Sequence, residues 1–383
     1  MTTPPNIPVF KPHMNKARIL PELEKILDSG WIGLGPKTKE FEDRFASWVG
    51  TKYAVAVNSC TAALHLAILV AGVGEGDEVL VPTLTFASTA LVLLYEKAIP
   101  VFVDCDPRTL CVNVEDLERK ITPKTKAIMP VHFGGHAAPL DELLALSRKH
   151  HIPLIEDCAH AAGGRYKNKA LGSFGALGCF SFHAVKNLPT ADGGMIVTDN
   201  PEYDRLLRRL RWLGIDKDTW TRSDARYSWR YSIAELGYKY HMNDITAVIG
   251  LAQLETLDHD NRLRAQLAQR YQQLLKAIPW LQCPVEQDDV RSAWHNFVVQ
   301  IEEGVSRDDL AAYLASEGIS TGVHYEPIHH HGVFQGRSRM EHLETAERIW
   351  PRLLTLPLYP ALTFQDQDRI VASLAKFDSR LVS

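Results

Sequence analysis

The sequence predicts an α/β fold with a mainly parallel central sheet between helix layers and a smaller C-terminal α/β domain. Short apolar runs alternate with helical patterns through the first half of the chain, which is the rhythm of βαβ units. The runs are continuously apolar, as expected of strands that are covered on both faces. They are YAVAV, DEVLVP, IPVFVD, KAIMPVHF and IPLIED, at 53–57, 77–82, 99–104, 126–133 and 152–157.

Amphipathic patterns between and after these runs predict helices. Three of them are TAALHLAILVAG, PLDELLALSRKHH and PEYDRLLRRLRWLG, and the pair Asn58 and Ser59 before the first suits a helix N-cap. After residue 245 a long helical stretch leads into HNFVVQI and SRDDLAAYLASEG. We therefore expect a large domain at 1–245, which includes an N-terminal arm, and a small domain at 246–383.

Composition and charge narrow the functional class. The chain has 383 residues, of which 45% are hydrophobic and 23% charged, as is usual for globular proteins. Its 46 acidic and 42 basic residues give a net charge of −4, which favours neither nucleic acid nor an anionic membrane as partner. The cysteines show no C-x-x-C pair, so we expect a reducing cytoplasm. The N-terminal segment has no apolar core of signal-peptide length, and the apolar stretches near 61–73 and 86–95 are far shorter than a spanning helix, so neither secretion nor membrane insertion is expected.

Polar residues that close the apolar runs are the first candidates for a binding site, because ligands of open parallel sheets collect beyond the carboxyl ends of the strands. Glu156, Asp157 and His160 follow one run, and Cys60 and Thr61 begin a helix directly after another. Amides at a helix start bind phosphate through unpaired N–H groups and the helix dipole. Taken alone, the second pattern is better explained as a simple helix cap.

Lys186 follows the apolar run CFSFH. A lysine that apolar neighbours desolvate loses proton affinity, and its neutral amine can condense with a carbonyl as a Schiff base. A phosphate site, a carboxylate and such a lysine together describe a pyridoxal phosphate pocket, in which Asp157 would pair with the protonated ring nitrogen. Phe86 is the candidate ring over the cofactor face. Each residue alone has a plainer explanation, as a surface lysine, a turn aspartate or a core phenylalanine, so the hypothesis depends on their combination.

Longer segments resemble the DegT/StrS nucleotide-sugar aminotransferases, which are pyridoxal phosphate enzymes of the aspartate aminotransferase fold, fold type I. The resemblance runs through nearly the whole chain, in SGWIGLGPKTKEFEDRFASWVG, NSCTAALHLAI, IEDCAHAAGG, FSFHAVKNLPTADGG, GYKYHMNDITAVIGLAQL and TGVHYEPIH. Within the family, GYKY and FSFHA are most similar to the branch of UDP-4-amino-4-deoxy-L-arabinose aminotransferases, which aminates a 4-keto pentose.

The resemblance implies a role for each candidate around the cofactor ring, pyridoxal 5′-phosphate. Lys186 would bind the cofactor covalently and move a proton between substrate carbon and cofactor, and Asp157 would hold the pyridine nitrogen. His160 would lie near the ring hydroxyl, and Phe86 would stack on the ring.

The resemblance also implies how the phosphate is held. Cys60, Thr61 and Ser181 would bind it from this chain. Lys239 would reach it from the second subunit of a homodimer with shared active sites, at a position where most relatives have asparagine. The aromatic segment 220–240 is the other expected cross-subunit element.

The implied reaction moves an amino group from an amino acid, usually L-glutamate, to a nucleotide-linked keto-sugar. Lys186 argues against the dehydratase offshoot of the family, in which histidine replaces this lysine. Amination at C4 is favoured, while a C3-keto-sugar, a cyclitol ketone and a cofactor-binding regulatory paralogue without turnover stay as alternatives. His183 is the third candidate catalytic residue beside Lys186 and Asp157, and it either faces the sugar end of the pocket or is a packed strand histidine.

Four histidines near the C-terminal end of the family resemblance, His324, His329, His330 and His331, invite a metal hypothesis. Neighbouring residues on an extended segment point apart, however, and no standard zinc spacing is present. The sequence therefore predicts no metal site, and these histidines are interpreted as part of a sugar-facing or merely polar loop. The glycine-rich GWIGLGPKT also fails as a phosphate loop, because Pro36 interrupts the required GK[ST].

Overall fold

The structure, a computed structural model, describes residues 6–215 and 231–381. The helices in this part of the chain are α1 (Lys16–Ser29), α2 (Pro36–Val49), α3 (Cys60–Val70), α4 (Ser88–Tyr95), α5 (Val114–Lys120), α6 (Leu140–His150), α7 (Pro201–Leu210), α8 (Asp244–Leu254), α9 (Leu257–Leu274), α10 (Arg307–Ser316), α11 (Glu344–Ile349) and α12 (Phe364–Leu381). The strands are β1 (Tyr53–Val57), β2 (Glu78–Pro82), β3 (Ile99–Val103), β4 (Thr125–Ile128), β5 (Ile155–Cys158), β6 (Arg165–Tyr166), β7 (Lys169–Ala170), β8 (Leu177–Ser181), β9 (Gly194–Thr198), β10 (Leu281–Gln282), β11 (Val290–Arg291), β12 (Phe297–Ile301) and β13 (Leu353–Leu356).

The central sheet is mainly parallel, as predicted. Its strands form one group in the order β1-β9-β8-β5 and another in the order β3-β2-β4. Parallel bridges from Ile128 to Leu154 and from Val131 to Asp157 join the two groups. Only β9 runs against its described neighbours, since it pairs antiparallel with both β1 and β8. The sheet therefore delivers the carboxyl ends of β2, β4, β5 and β8 to one edge.

Helices cover both faces of this sheet. Side chains of β1 alternate between two buried clusters, with Ala54 and Ala56 in one and Val55 and Val57 in the other. The first cluster contains Phe41 and its neighbours from α2, and the second contains the apolar side chains of α3. Burial on both faces explains why the strand sequences are apolar throughout and do not alternate.

A buried glutamate ties α2 to the sheet and to α7. The Glu42 carboxylate accepts the Ala56 amide at 2.9 Å and an Arg208 N–H at 2.7 Å, and it also pairs with Arg211. Burial raises the pKa of Glu42, but the two arginines and the amide outweigh it and lower the pKa overall. The carboxylate therefore stays charged in the interior.

Two predicted elements, one strand and one helix, are shorter in the structure than the sequence pattern indicates. The run at 126–133 supplies only the short β4, because the chain then turns through Phe133–Gly135, where Gly134 has a φ of 62°. The long helical stretch after residue 245 is divided into α8 and α9 by Glu255 and Thr256. The other four apolar runs contain β1, β2, β3 and β5, with ends that shift by one residue or a few.

The C-terminal region has its own antiparallel sheet, in the order β10-β12-β13. This sheet packs with α9, α10 and α12 in a third buried cluster. The N-terminal arm joins that cluster, since Ile7 pairs with Ile319. The domain boundary at residue 245 stays a prediction. None of the helices in the described ranges combines the length and apolarity that crossing a membrane requires.

Candidate active site

A cavity of about 360 Å³ opens at the carboxyl edge of the central sheet. It brings together eight of the nine residues that the sequence predicts for catalysis or cofactor binding: Cys60, Thr61, Phe86, Asp157, His160, Ser181, His183 and Lys186. These residues come from segments that the chain separates widely, and the parallel sheet places them side by side.

The start of α3 forms one wall of the cavity. Ser59 caps the helix by accepting the Ala62 amide at 3.1 Å, and the amides of Cys60 and Thr61 have no acceptor within the helix. Gly194 of β9 lets this helix start approach closely, because a Cβ there would lie 2.5 Å from the Ser59 carbonyl oxygen. The result is an anion site at a helix N-terminus, which suits a phosphate group.

Asp157 is the buried carboxylate of the cavity, and only 2% of its surface is exposed. It accepts hydrogen bonds from the Thr89 hydroxyl at 2.8 Å and the Ala159 amide at 3.0 Å. Burial raises its pKa, against those two hydrogen bonds and the positive charge of Lys186. Within the described ranges no ion pair involves Asp157, so this carboxylate suits a cation that a ligand brings in.

Lys186 lies in the turn between β8 and β9, where its amide donates to the His183 carbonyl at 2.8 Å. Its Nζ lies 3.4 Å from Nε2 of His295. Burial lowers the pKa of Lys186 to about 8, while the charges of Cys60 and Asp157 oppose that change. An amine with this pKa is partly neutral near physiological pH and can act as a nucleophile and as a proton carrier.

Three histidines and a tyrosine also line the cavity: His160, His295, His324 and Tyr325. The Gly134 amide donates to Nδ1 of His160 at 3.3 Å, so Nε2 of His160 carries the proton and donates to the Tyr325 hydroxyl at 2.9 Å. Burial lowers the pKa of His160 and of His295 well below the usual range, and that of His324 to about 4. At neutral pH these imidazoles are uncharged hydrogen-bonding groups.

Sequence reasoning did not assign His295, Tyr325, Thr89 or Phe10 to the site, although all four line the cavity. His295 precedes the buried strand β12, so the rule that polar residues flanking apolar strands are candidates could have found it. Phe10 of the N-terminal arm stacks on the His295 ring, with centroids 5.5 Å apart. No local pattern marks Phe10, because its partner is far away in the sequence.

Glu156, a candidate at the end of β5, does not line the cavity and instead pairs with His132 at 3.0 Å. Lys239 is the one residue with an expected cofactor role that the structure does not bring into the cavity. Its side chain is exposed, and its Nζ lies 3.3 Å from the centroid of the Trp212 ring. Its carbonyl accepts the Asn58 side-chain amide at 3.4 Å, beside the start of α3. The prediction assigned Lys239 to the site of a second subunit, and a single chain does not test it. Residues 220–230 of the aromatic segment lie outside the described residues.

Known proteins are similar to this chain in both sequence and structure. The DegT/DnrJ/EryC1/StrS aminotransferase family matches residues 13–375. The spore coat polysaccharide biosynthesis protein SpsC of Bacillus subtilis (strain 168) is 41% identical over 374 residues, which is 96% of each chain. Spr1654 from Streptococcus pneumoniae, solved in a PLP form, is 32% identical with a TM-score of 0.91, over 99% of this chain and 100% of that one. The sugar aminotransferase CalS13 from Micromonospora echinospora is 31% identical with a TM-score of 0.88, over 96% and 99%.

These similarities extend over at least 96% of the chain, so they concern the whole architecture and not one motif. They confirm the predicted fold type I and the predicted class of enzyme. The chain belongs to the DegT/DnrJ/EryC1/StrS aminotransferase family.

Proposed function

We propose that this aminotransferase moves an amino group from L-glutamate to the C4 keto carbon of a nucleotide-linked sugar. The cavity that joins Lys186, Asp157 and the start of α3 carries the proposal, because these three features match the three ends of one cofactor. The PLP and PMP forms of Spr1654 confirm the predicted cofactor class, pyridoxal 5′-phosphate.

The described residues fit this cofactor. Asp157, a buried carboxylate without an ion pair in the described ranges, suits the protonated ring nitrogen. The helix start at Cys60 and Thr61, with Ser181 beside it in the cavity wall, suits the phosphate. When bound, pyridoxal phosphate supplies an electron sink for the negative charge that develops on the substrate carbon.

The other residues orient the reactants and move protons. Lys186 is the covalent attachment point, and its Nζ takes a proton from the substrate carbon and returns it. The ring of Phe86 is 60% exposed at the cavity and is assigned to stack on the cofactor. His160, held by the Tyr325 hydroxyl, is assigned to the cofactor's ring hydroxyl.

We assign the outer part of the cavity to the sugar. His183 is exposed there, which favours its role at the sugar end over a packed strand histidine. The neutral ring of His324 lies with Nδ1 2.7 Å from the Thr355 hydroxyl, and its Nε2 is left to bind a sugar hydroxyl. CalS13 is a sugar aminotransferase, and SpsC serves spore coat polysaccharide biosynthesis, which supports a sugar substrate. The similarity of FSFHAVKN to the C4 branch favours C4 over C3.

We also propose a homodimer with shared sites. Lys239 is exposed and lies outside the cavity of its own chain, beside the end of β1. This is the position expected of a residue that contributes to the site of a second subunit. All six cysteines are free, in keeping with the proposed location in the reducing cytoplasm.

The test is glutamate-dependent amination of UDP-, GDP- and dTDP-linked 3-keto and 4-keto sugars and of a cyclitol ketone. Turnover is measured by the release of 2-oxoglutarate and by the mass of the product. We expect turnover with a 4-keto sugar, and none in Lys186→Ala, while the exposed control Lys124→Ala keeps full activity. Turnover with 3-keto sugars alone would refute the assignment to C4. Turnover with a cyclitol ketone alone would refute the sugar nucleotide. Bound cofactor without turnover on any substrate would favour the regulatory paralogue.

A further inference from the structure

Two neighbouring histidines and a glutamate converge on one point outside the cavity. Nε2 of His329 and Nε2 of His330 each lie 2.7 Å from the same oxygen, Oε1 of Glu347. The two imidazole centroids are 4.6 Å apart. The chain at Ile328–His330 forms a 3₁₀ turn, so these histidines are not on an extended segment. The sequence argument that neighbouring histidines point apart therefore does not apply here.

The other nitrogen of each histidine is already engaged. Nδ1 of His329 lies 2.5 Å from the hydroxyl of the buried Thr83, and Nδ1 of His330 lies 3.4 Å from a carboxylate oxygen of Glu326. Histidines that bind metals nearly always use one ring nitrogen for the ion and the other for such an orienting partner. The remaining nitrogen of each ring, Nε2, points at Glu347 and is the one that would bind the ion.

The third ligand comes from a helix whose start is fixed in place. Asp104 accepts the amides of Thr345 and Ala346 at 2.8 Å each, which caps the first turn of α11. The side chain of Glu347, on the same helix, is 45% exposed. It is free to shift, and its exposure leaves a position for water on the ion.

The dimensions suit a transition metal after a small adjustment. Zinc bonds of about 2.0–2.1 Å in tetrahedral geometry place ligand atoms about 3.3 Å apart. The present separations of 2.7 Å therefore have to open by roughly half an ångström, which the half-exposed Glu347 allows.

The described residues contain a second group of potential metal ligands, His132, Glu156 and Cys158. Its atoms are committed to other hydrogen bonds and are not accessible to an ion. The Ala138 amide donates to Nδ1 of His132, so Nε2 of His132 carries the proton and donates to Glu156. The Glu156 oxygens also accept three amides of the loop at 172–175. Both His132 and Glu156 are fully buried, which closes any entry path.

We propose that His329, His330 and Glu347 bind one divalent cation of the zinc class, outside the active-site cavity. The ion would fasten the segment at 324–331 to α11. Because His324 and Tyr325 at the start of this segment line the cavity, the ion would also steady that wall. The inference does not depend on the identity of the sugar or on the reaction.

The test measures Zn²⁺ binding to the chelator-treated holoenzyme, produced without a histidine tag, by equilibrium dialysis with metal analysis. We expect saturation at about one ion per chain and a loss of affinity on the order of a hundredfold in His330→Ala and in Glu347→Ala. His331→Ala is the matched control, since His331 is exposed and next in the chain, and its affinity should equal that of the wild type. Co²⁺ in the same site should give the visible absorption of a nitrogen-ligated ion.

Three results would overturn the proposal. They are the absence of saturable Zn²⁺ binding, equal affinity in His330→Ala and the wild type, or an equal loss in His331→Ala. Because His330 and Glu347 are partly exposed, both variants are expected to fold, and retained amination activity would verify this.

Discussion

Replacing Lys186 by methionine should stabilise the cofactor-free enzyme at neutral pH. The ammonium group loses hydration in the cavity, which lowers the pKa of Lys186 from its ordinary value of 10.5 to about 8. Each pKa unit is worth about 1.4 kcal/mol, so burial of the charge costs up to about 3 kcal/mol. Part of the residue still faces the cavity, and this screening reduces the expected gain to about 1–3 kcal/mol. Methionine keeps the length of the side chain and removes the charge.

The pH dependence distinguishes this cause from a packing effect. Below pH 8 the lysine is charged in both the folded and the unfolded state, and the full cost is present. Between about pH 8 and 10.5 the unfolded chain binds more protons than the folded one, so the stability of the wild type rises with pH. The advantage of the variant should therefore be largest at pH 7 and vanish above pH 10.5.

The assay is urea unfolding of the two cofactor-free proteins at pH 7, 9 and 10.5, with Lys124→Met as an exposed control. The control should change the free energy of unfolding by less than about 0.5 kcal/mol at every pH. If Lys186→Met is no more stable than the wild type at pH 7, or if its advantage persists unchanged at pH 10.5, the charge of Lys186 is not desolvated as argued.

Four further predictions test other parts of the structure. Asp157→Asn should keep the fold but slow the glutamate half-reaction on the order of a hundredfold or more in stopped-flow absorbance, because the ring nitrogen loses its anion. His183→Ala should raise KM for the keto-sugar about tenfold and leave the cofactor spectrum unchanged. Lys239→Ala should weaken cofactor binding, and a mixed dimer with Lys186→Ala should regain one working site; no regained activity would exclude a cross-subunit role. Glu42→Gln should lower the free energy of unfolding by about 3 kcal/mol at pH 7, because it leaves the buried Arg211 without its anion and takes from the half-buried Arg208 one of its two carboxylate partners. Since the folded-state pKa of Glu42 is lowered, this penalty should shrink as the pH falls below about 4.5, as chemical denaturation at several pH values would reveal.

The residues of the site that lie next to a sheet strand could be predicted from the sequence. Asp157 closes an apolar run, Cys60 opens a helix, and Lys186 follows CFSFH, so local pattern and the geometry of parallel sheets were sufficient to group them. The family resemblance added roles that no local pattern carries, such as those of His160 and Lys239.

Other features depend on contacts between distant segments, which periodicity does not encode. The hydrogen bond from Thr89 to Asp157 arises because α4 and β5 lie side by side in space. The antiparallel direction of β9 is set by its insertion between β1 and β8, and its own apolar sequence is equally compatible with a parallel strand. The sequence likewise did not predict the 3₁₀ turn at Ile328–His330, because it suggested an extended segment there.

Phe10 and His295 meet although they are far apart in the polypeptide, and this has a consequence for biosynthesis. A ribosome releases Phe10 almost at once but His295 only after most of the chain has been made. Until then the amine of Lys186 lacks the His295 side of its pocket and keeps more of its hydration. The low proton affinity that prepares Lys186 for an aldehyde is therefore acquired late, when the arm with Phe10 and the segment with His295 close over it.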